Sequence, residues 1–292
     1  VSRVPSTVEH STVEHSAVEH SAIQHSAVTE AFGKASADNR AALVGYLPAG
    51  FPSVQGAIEA ATAMAEAGAD VIEVGLPYSD PVMDGPVIAE AVHRALTAGT
   101  HVADVLRTVE AIASAGVPAL VMTYWNPVDR YGVSAFARDL AAAGGSGLIT
   151  PDLTLEEADS WLDASDAYDL DRVFLVAPSS TEQRLAKIAA ACRGFVYAAS
   201  LMGITGTRDA VSGDASGLVK RVRQYTQLPV AVGLGVSNGT QAAQVAGFAD
   251  GVIVGSAFVR CLLQAPSGAE GIAGVRALAS ELSEGVRRKS GS

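Results

Sequence analysis

From Ala31 onward the chain alternates short, β-rich apolar runs with Ala-rich stretches of helical pattern, and this alternation constrains the fold more than any other feature. The strand candidates are Ala42–Leu47, Val71–Gly75, Ala119–Thr123, Gly147–Thr150, Val173–Val176, Phe195–Ala199, Val230–Val232 and Gly251–Val254, eight in all. Helical patterns follow most of them, among them Val54–Ala67, Pro86–Ala98 and Gln241–Ala246, and an extra helix is expected near Val102–Ala115. Repeated strand–helix units predict a parallel sheet with right-handed crossovers. Eight units within roughly 250 residues predict closure into a single (β/α)8 TIM barrel of class α/β. An open doubly wound sheet would need an early G-x-G-x-x-G turn, and the first strand ends instead in Leu47-Pro48-Ala49-Gly50. No Pro/Ser-rich linker interrupts the run, so residues 31–292 read as one barrel domain.

Residues 1–30 are a different kind of sequence. From Ser6 to Glu30 the chain reads STVEH, STVEH, SAVEH, SAIQH, SAVTE, which places His10, His15, His20 and His25 in a five-residue repeat. A His-rich tract can bind metal. A period of five matches neither a helix nor a strand, however, so the stretch is expected to be a disordered N-terminal repeat extension. The chain opens on Val1, which fits an alternative start codon read literally or a start site set too far upstream. A net charge of −11 argues against nucleic acid or an anionic membrane as the main partner. No apolar run approaches the ~20 residues of a membrane span, nor does the start carry the apolar core of a secretory signal. Two cysteines, Cys192 and Cys261, build no disulfide framework or zinc cluster, and a cytoplasmic location is expected.

In a barrel of this kind, chemistry belongs at the C-terminal ends of the strands. Strand two, Val71-Ile-Glu-Val-Gly75, carries Glu73 inside an apolar run. If Glu73 shares the inward face with Val71 and Gly75, it projects into the barrel mouth, where burial would raise its pKa and poise it for proton transfer. The alternative is a structural glutamate paired with an arginine. Asp84 follows in a loop punctuated by Pro81, Gly85 and Pro86, either as a second functional carboxylate or as the N-cap of the next helix. Ser79 and Asp80 suit turn positions.

Strand seven ends in Gly233-Leu-Gly235 and strand eight in Gly255-Ser256. Phosphate is often held in barrels by the loops after these two strands and a helix N-terminus, so Gly233, Gly235, Gly255 and Ser256 are candidate phosphate ligands, with tight turns as the other reading. The long Gly-rich loop 201–213 is a candidate lid. The only lysines are Lys34, Lys187, Lys220 and Lys289, none in a predicted strand, which disfavours a Schiff-base aldolase. Outside the repeat the only histidines are His93 and His101, which disfavours a histidine-ligated metal. Metal-free acid/base chemistry on a phosphorylated substrate remains.

The run Glu73-Val-Gly-Leu-Pro-Tyr-Ser-Asp-Pro81 followed by Asp84-Gly-Pro86 resembles the signature of tryptophan synthase alpha chains. Tyr124-Trp-Asn126, Pro151-Asp152, Gly203-Ile-Thr-Gly206, Gly233-Leu-Gly235 and Gly255-Ser256 follow in that family's order, over about Ala31 to Ser283. Tyr46 and Tyr78 stand where phenylalanine is common, and Met83 where alanine is common. The resemblance implies retro-aldol cleavage of indole-3-glycerol phosphate to indole and glyceraldehyde 3-phosphate, without metal or cofactor in this subunit. It implies Glu73 as the acid/base and Asp84 as the group that accepts the indole N–H. It adds Gly206 to the phosphate ligands, Tyr46, Tyr124 and Tyr197 to the pocket, and Thr205 as a partner of Asp84. It also implies a pyridoxal-phosphate beta chain as partner in an α2β2 assembly. The loops Ser79–Pro81, Tyr124–Tyr131 and Pro151–Glu157 would face that partner, and closure of loop 201–213 would couple to its binding. A sugar-phosphate isomerase, an FMN-dependent oxidoreductase and a regulatory subunit are the rival readings.

Overall fold

The computed structural model describes residues 26–199, 208–233 and 235–287. Nine strand segments are present among them: β1 (Ala42–Pro48), β2 (Val71–Gly75), β3 (Ala119–Met122), β4 (Gly147–Ile149), β5 (Asp171–Val173), β6 (Leu175–Val176), β7 (Val196–Ala199), β8 (Val230–Gly233) and β9 (Gly251–Val254). All pair in parallel, in the order β5-β4-β3-β2-β1-β9-β8-β7-β6. The two ends of that order are consecutive in the chain. β5 pairs with β4 and β6 with β7, and only Phe174 separates them. The fifth expected strand, Val173–Val176, is thus one barrel strand that starts two residues earlier and breaks at Phe174, where the sheet changes neighbour and closes. This is the expected (β/α)8 barrel.

Helices cover the outside. Val54–Glu66, Pro86–Thr97, Val102–Ser114 and Gly239–Ala246 lie where periodicity puts them. Strand residues alternate between two cores, as the period of two requires. Ile72, Val74, Val121, Leu148 and Val252 face outward against the helices. Ala42, Val44, Val71, Leu120, Ile149, Val173, Phe195, Ala231 and Ile253 fill the barrel interior.

The N-terminal helix Ala27–Ala37 closes the floor of that interior. Its buried residues Val28, Phe32 and Ala35 follow a one-face helical spacing and join the interior cluster. Burying the Phe32 ring contributes about 2–3 kcal/mol before any cavity term. The helix starts at Ala27, inside the stretch 1–30 that the repeat suggested as tail. The fifth repeat unit, Ser26-Ala-Val-Thr-Glu30, is the helix start, with Ser26 as N-cap in a reciprocal capping box with Thr29. The repeat histidines His10, His15, His20 and His25 lie outside the described residues. Beside the floor, Arg40 holds Asp70 with Nη1–Oδ2 at 2.6 Å and Nη2–Oδ1 at 2.8 Å, while Asp70 also accepts the Leu43 amide at 2.8 Å. That buried pair fixes the entry to β1 against the entry to β2. Among the described residues no helix is long and apolar enough to cross a membrane.

Candidate active site

Glu73 sits in the middle of β2 and points inward. Its register partners are Tyr46 on β1 and Leu120 on β3. It is 1% exposed, and neither carboxyl oxygen has a hydrogen-bond partner among the described residues. Burial alone pushes its pKa up to about 8. The arginine partner that a structural role would require is absent among the described residues.

Asp84 lies in the loop after β2, where its amide donates to the Pro81 carbonyl at 3.2 Å. The next helix, Pro86–Thr97, is capped by Gly85 with no side-chain bond, so Asp84 is not its N-cap. Its carboxylate instead accepts the Tyr124 hydroxyl at 3.3 Å, and that oxygen accepts the Met83 amide at 2.9 Å. Burial raises the Asp84 pKa, and the Tyr124 hydrogen bond opposes the rise.

Tyr124 stands two residues past the end of β3 and is the N-cap residue of helix Trp125–Tyr131. Asp152, in the loop after β4, accepts the Trp125 amide at 2.9 Å. Tyr78 packs on Tyr124 with ring centroids 5.5 Å apart and accepts from Asn126 Nδ2 at 3.0 Å. The loops after β2, β3 and β4 are therefore tied into one wall. Sequence reading placed Asn126 and Asp152 in family motifs and in loops expected to face a partner, and noted Tyr78 as a departure, but assigned none of the three a place in this wall. The signal available was an Asp two residues beyond a strand end, which suits capping of a neighbouring loop or helix.

Tyr46 and Tyr197 complete the interior. Burial drives both phenols well above their ordinary pKa, and Glu73 adds to the rise at both. Asp84 and Tyr124 also act on Tyr46, so these five side chains share one low-dielectric space. The Tyr46 hydroxyl lies against Gly75, where a Cβ would clash. The Tyr197 hydroxyl would stand 2.6 Å from a Cβ on Gly233, and the Tyr46 ring 3.3 Å from one on Gly255. Gly233 and Gly255 thus make room for tyrosines, in addition to the backbone approach expected of them.

On the opposite wall, helix Ser256–Gln264 opens at Gly255 with no side-chain cap and no acidic residue in its first turn. Among the described residues no side chain caps its leading N–H groups, an arrangement that suits an anion. The neighbouring helix Gly239–Ala246 differs, because Asn238 Oδ1 already accepts the Gln241 amide at 2.9 Å. Gly235 is exposed and has φ +71°, a left-handed conformation that favours glycine. Ser256 is half-buried at the helix start. Gly206 and Thr205 lie outside the described residues. Of the expected lid 201–213, residues from Arg208 onward belong to helix Arg208–Val222 rather than to a loop.

A family model described as tryptophan synthase alpha chain matches residues 32–287. The tryptophan synthase alpha chain of Salinispora arenicola is 64% identical over 257 residues, covering 88% of this chain and 96% of that one. That of Thermobifida fusca is 62% identical, covering 87% and 95%. An aminoacrylate-bound tryptophan synthase structure from M. tuberculosis superposes with a TM-score of 0.82 at 55% identity, over 90% of this chain and 100% of that one. The alpha subunit from Legionella pneumophila str. Paris gives 0.82 at 30% identity, over 90% and 99%. With its barrel, its buried glutamate and the order of its motifs, the chain belongs to the tryptophan synthase alpha chain family.

Proposed function

We propose that Glu73 and Asp84 carry the retro-aldol cleavage of indole-3-glycerol phosphate to indole and glyceraldehyde 3-phosphate. The observation that carries this reading is Glu73 itself, a carboxyl inside the barrel with no hydrogen-bond partner among the described residues, which burial keeps largely protonated near neutral pH. A protonated Glu73 donates to indole C3, which places positive charge on the ring nitrogen. Asp84, held toward its ionised form by Tyr124, accepts the indole N–H and offsets that charge. The Glu73 carboxylate then takes the proton of the side-chain hydroxyl. The C=O forms, the C–C bond breaks, its electrons restore the indole, and Glu73 ends protonated as it began.

Gly233, Gly235, Gly255 and Ser256, with Gly206, hold the phosphate through backbone N–H groups, and so fix the substrate far from the bond that breaks. Tyr46, Tyr124 and Tyr197 line the indole end, and Thr205 steadies Asp84. The partner is a beta chain that uses pyridoxal phosphate to consume indole, in an α2β2 assembly in the cytoplasm. The exposed apolar side chains Val82 (84%), Met83 (55%) and Tyr131 (40%) support that docking face, because they fall on or beside the loops after β2 and β3. The test is cleavage of indole-3-glycerol phosphate with and without a beta chain, for the wild type, Glu73→Gln and Asp84→Asn. Each variant should lose ~10²-fold or more. Full activity in either removes its assigned role.

A further inference from the structure

The floor of the barrel is built by a segment outside the eight strand–helix units. Phe32, on the N-terminal helix, is 4% exposed and stacks on Phe195 with centroids 5.3 Å apart. Phe195 meets Tyr197 at 6.4 Å, and Tyr197 is a neighbour of Glu73 close enough to feel its charge. The Phe32 ring also fills the space over Gly251, where an added Cβ would stand 2.7 Å from it. Val28, Val44, Val71 and Leu120 complete the same cluster. Val71 precedes Glu73 by two residues on the same inward face, and Leu120 is its register partner. The charged side chains of the helix, Glu30 and Lys34, are exposed and lie away from this cluster. The raised pKa of a carboxyl with no hydrogen-bond partner among the described residues depends on its surroundings being dry.

We propose that Phe32 is a positioning residue for the reaction, acting through Phe195 and Tyr197 to seal the barrel floor and keep water from the Glu73 carboxyl. The proposal rests on the acid/base reading of Glu73 given above. Among the described residues the ionisable groups facing Glu73 are Tyr46 from β1 and Tyr197 from β7, with Asp84 and Tyr124 beyond Tyr46, and none of these is a cation. At the edge of the floor the helix start touches Asp171, which is flanked by Arg193, Asp169 and Arg172. Solvation is therefore the main control on the Glu73 proton. Replacing Phe32 by alanine opens a cavity and a route for water. The carboxylate is then better solvated, and the proton leaves at lower pH.

The experiment uses the full chain and two readouts. Difference infrared spectroscopy follows the protonated carboxyl band that disappears in Glu73→Gln. Steady-state cleavage with the beta chain follows the alkaline limb of kcat. In Phe32→Ala both should move to lower pH by one unit or more, while Phe32→Leu, which keeps an apolar plug, should leave both near the wild type. If Phe32→Ala does not fold, Val28→Ala opens the same floor more gently and should give a smaller shift of the same sign. An infrared titration unmoved in a folded floor variant overturns the seal. An infrared titration that moves while the kcat limb stays overturns the acid/base reading of Glu73 and leaves the seal standing.

Discussion

Tyr124 donates its hydroxyl hydrogen to Asp84 at 3.3 Å while the same oxygen accepts the Met83 amide at 2.9 Å, so one phenol just beyond the third strand holds the loop that carries the second carboxylate. The hydrogen bond favours the ionised form of Asp84 against a burial that disfavours it. Tyr124→Phe removes both bonds and keeps the ring on Tyr78. A single hydrogen bond of this kind is worth about 1–1.5 kcal/mol, which predicts roughly a tenfold loss in kcat/KM. The acid limb of the pH profile should move upward, because Asp84 loses the interaction that lowers its pKa. A limb that does not move would show that Tyr124 acts only on loop geometry.

Glu73→Gln should separate activity from stability. Folding raises the Glu73 pKa from 4.5 to about 8, so the folded state binds more protons than the unfolded one between those values. Stability contributed by this site is therefore fully present below 4.5 and lost as pH rises toward 8. Glutamine has no proton to lose. The variant should be inactive, yet its Tm should exceed that of the wild type at pH 8 by more than at pH 5. Thermal unfolding at the two pH values checks the sign, and a gap that shrinks with pH would contradict a buried, unpaired carboxyl.

The barrel was legible because each strand run is apolar on both faces and each helix is amphipathic, and those periods do not depend on distant contacts. Glu73 was legible for the same reason, as a charge where the period demands an apolar residue. The break at Phe174 was not, because it is set by the need of one strand to pair with β4 in its first half and β7 in its second. The N-terminal helix was hidden by the five-residue repeat that overlaps its cap. Neither the close approach of Tyr197 to Gly233 nor the tie between Tyr124 and Asp84 exists until residues some 40 positions apart meet in space.

The closeness of Gly233 to Tyr197 predicts a suppressor. Gly233→Ala puts a Cβ 2.6 Å from the Tyr197 hydroxyl, closer than real Cβ contacts allow, so either the Tyr197 ring or the strand end that borders the proposed phosphate site must shift, and both line the proposed substrate pocket. Activity should fall at least about tenfold, with KM carrying most of the loss. Tyr197→Phe in the same chain deletes the nearest clashing atom and should restore part of it. Equal KM values for the single and double variants would mean that the damage arises elsewhere.

Ser26 predicts how firmly the floor helix is fastened, and how that depends on pH. Its Oγ accepts the Thr29 amide at 3.2 Å as N-cap and donates to Asp171 Oδ2 at 2.7 Å. Asp171 is 1% exposed, and burial raises its pKa to about 6, with the Ser26 bond and Arg193 opposing the rise. The ionised form is thus disfavoured by folding, and stability from this site declines as pH climbs from 3.8 toward 6. Ser26→Ala removes the cap at every pH, at a cost of about 1 kcal/mol. Above pH 6 it also strips a buried carboxylate of its hydroxyl donor, which adds roughly 1–3 kcal/mol. Urea unfolding should therefore show a larger loss at pH 8 than at pH 4.5, where Asp171 keeps its proton. Introducing Asp171→Asn beside Ser26→Ala removes the ionisable group and should make the loss independent of pH over this range. A loss that stays pH-dependent in the double variant would assign the effect to a group other than Asp171.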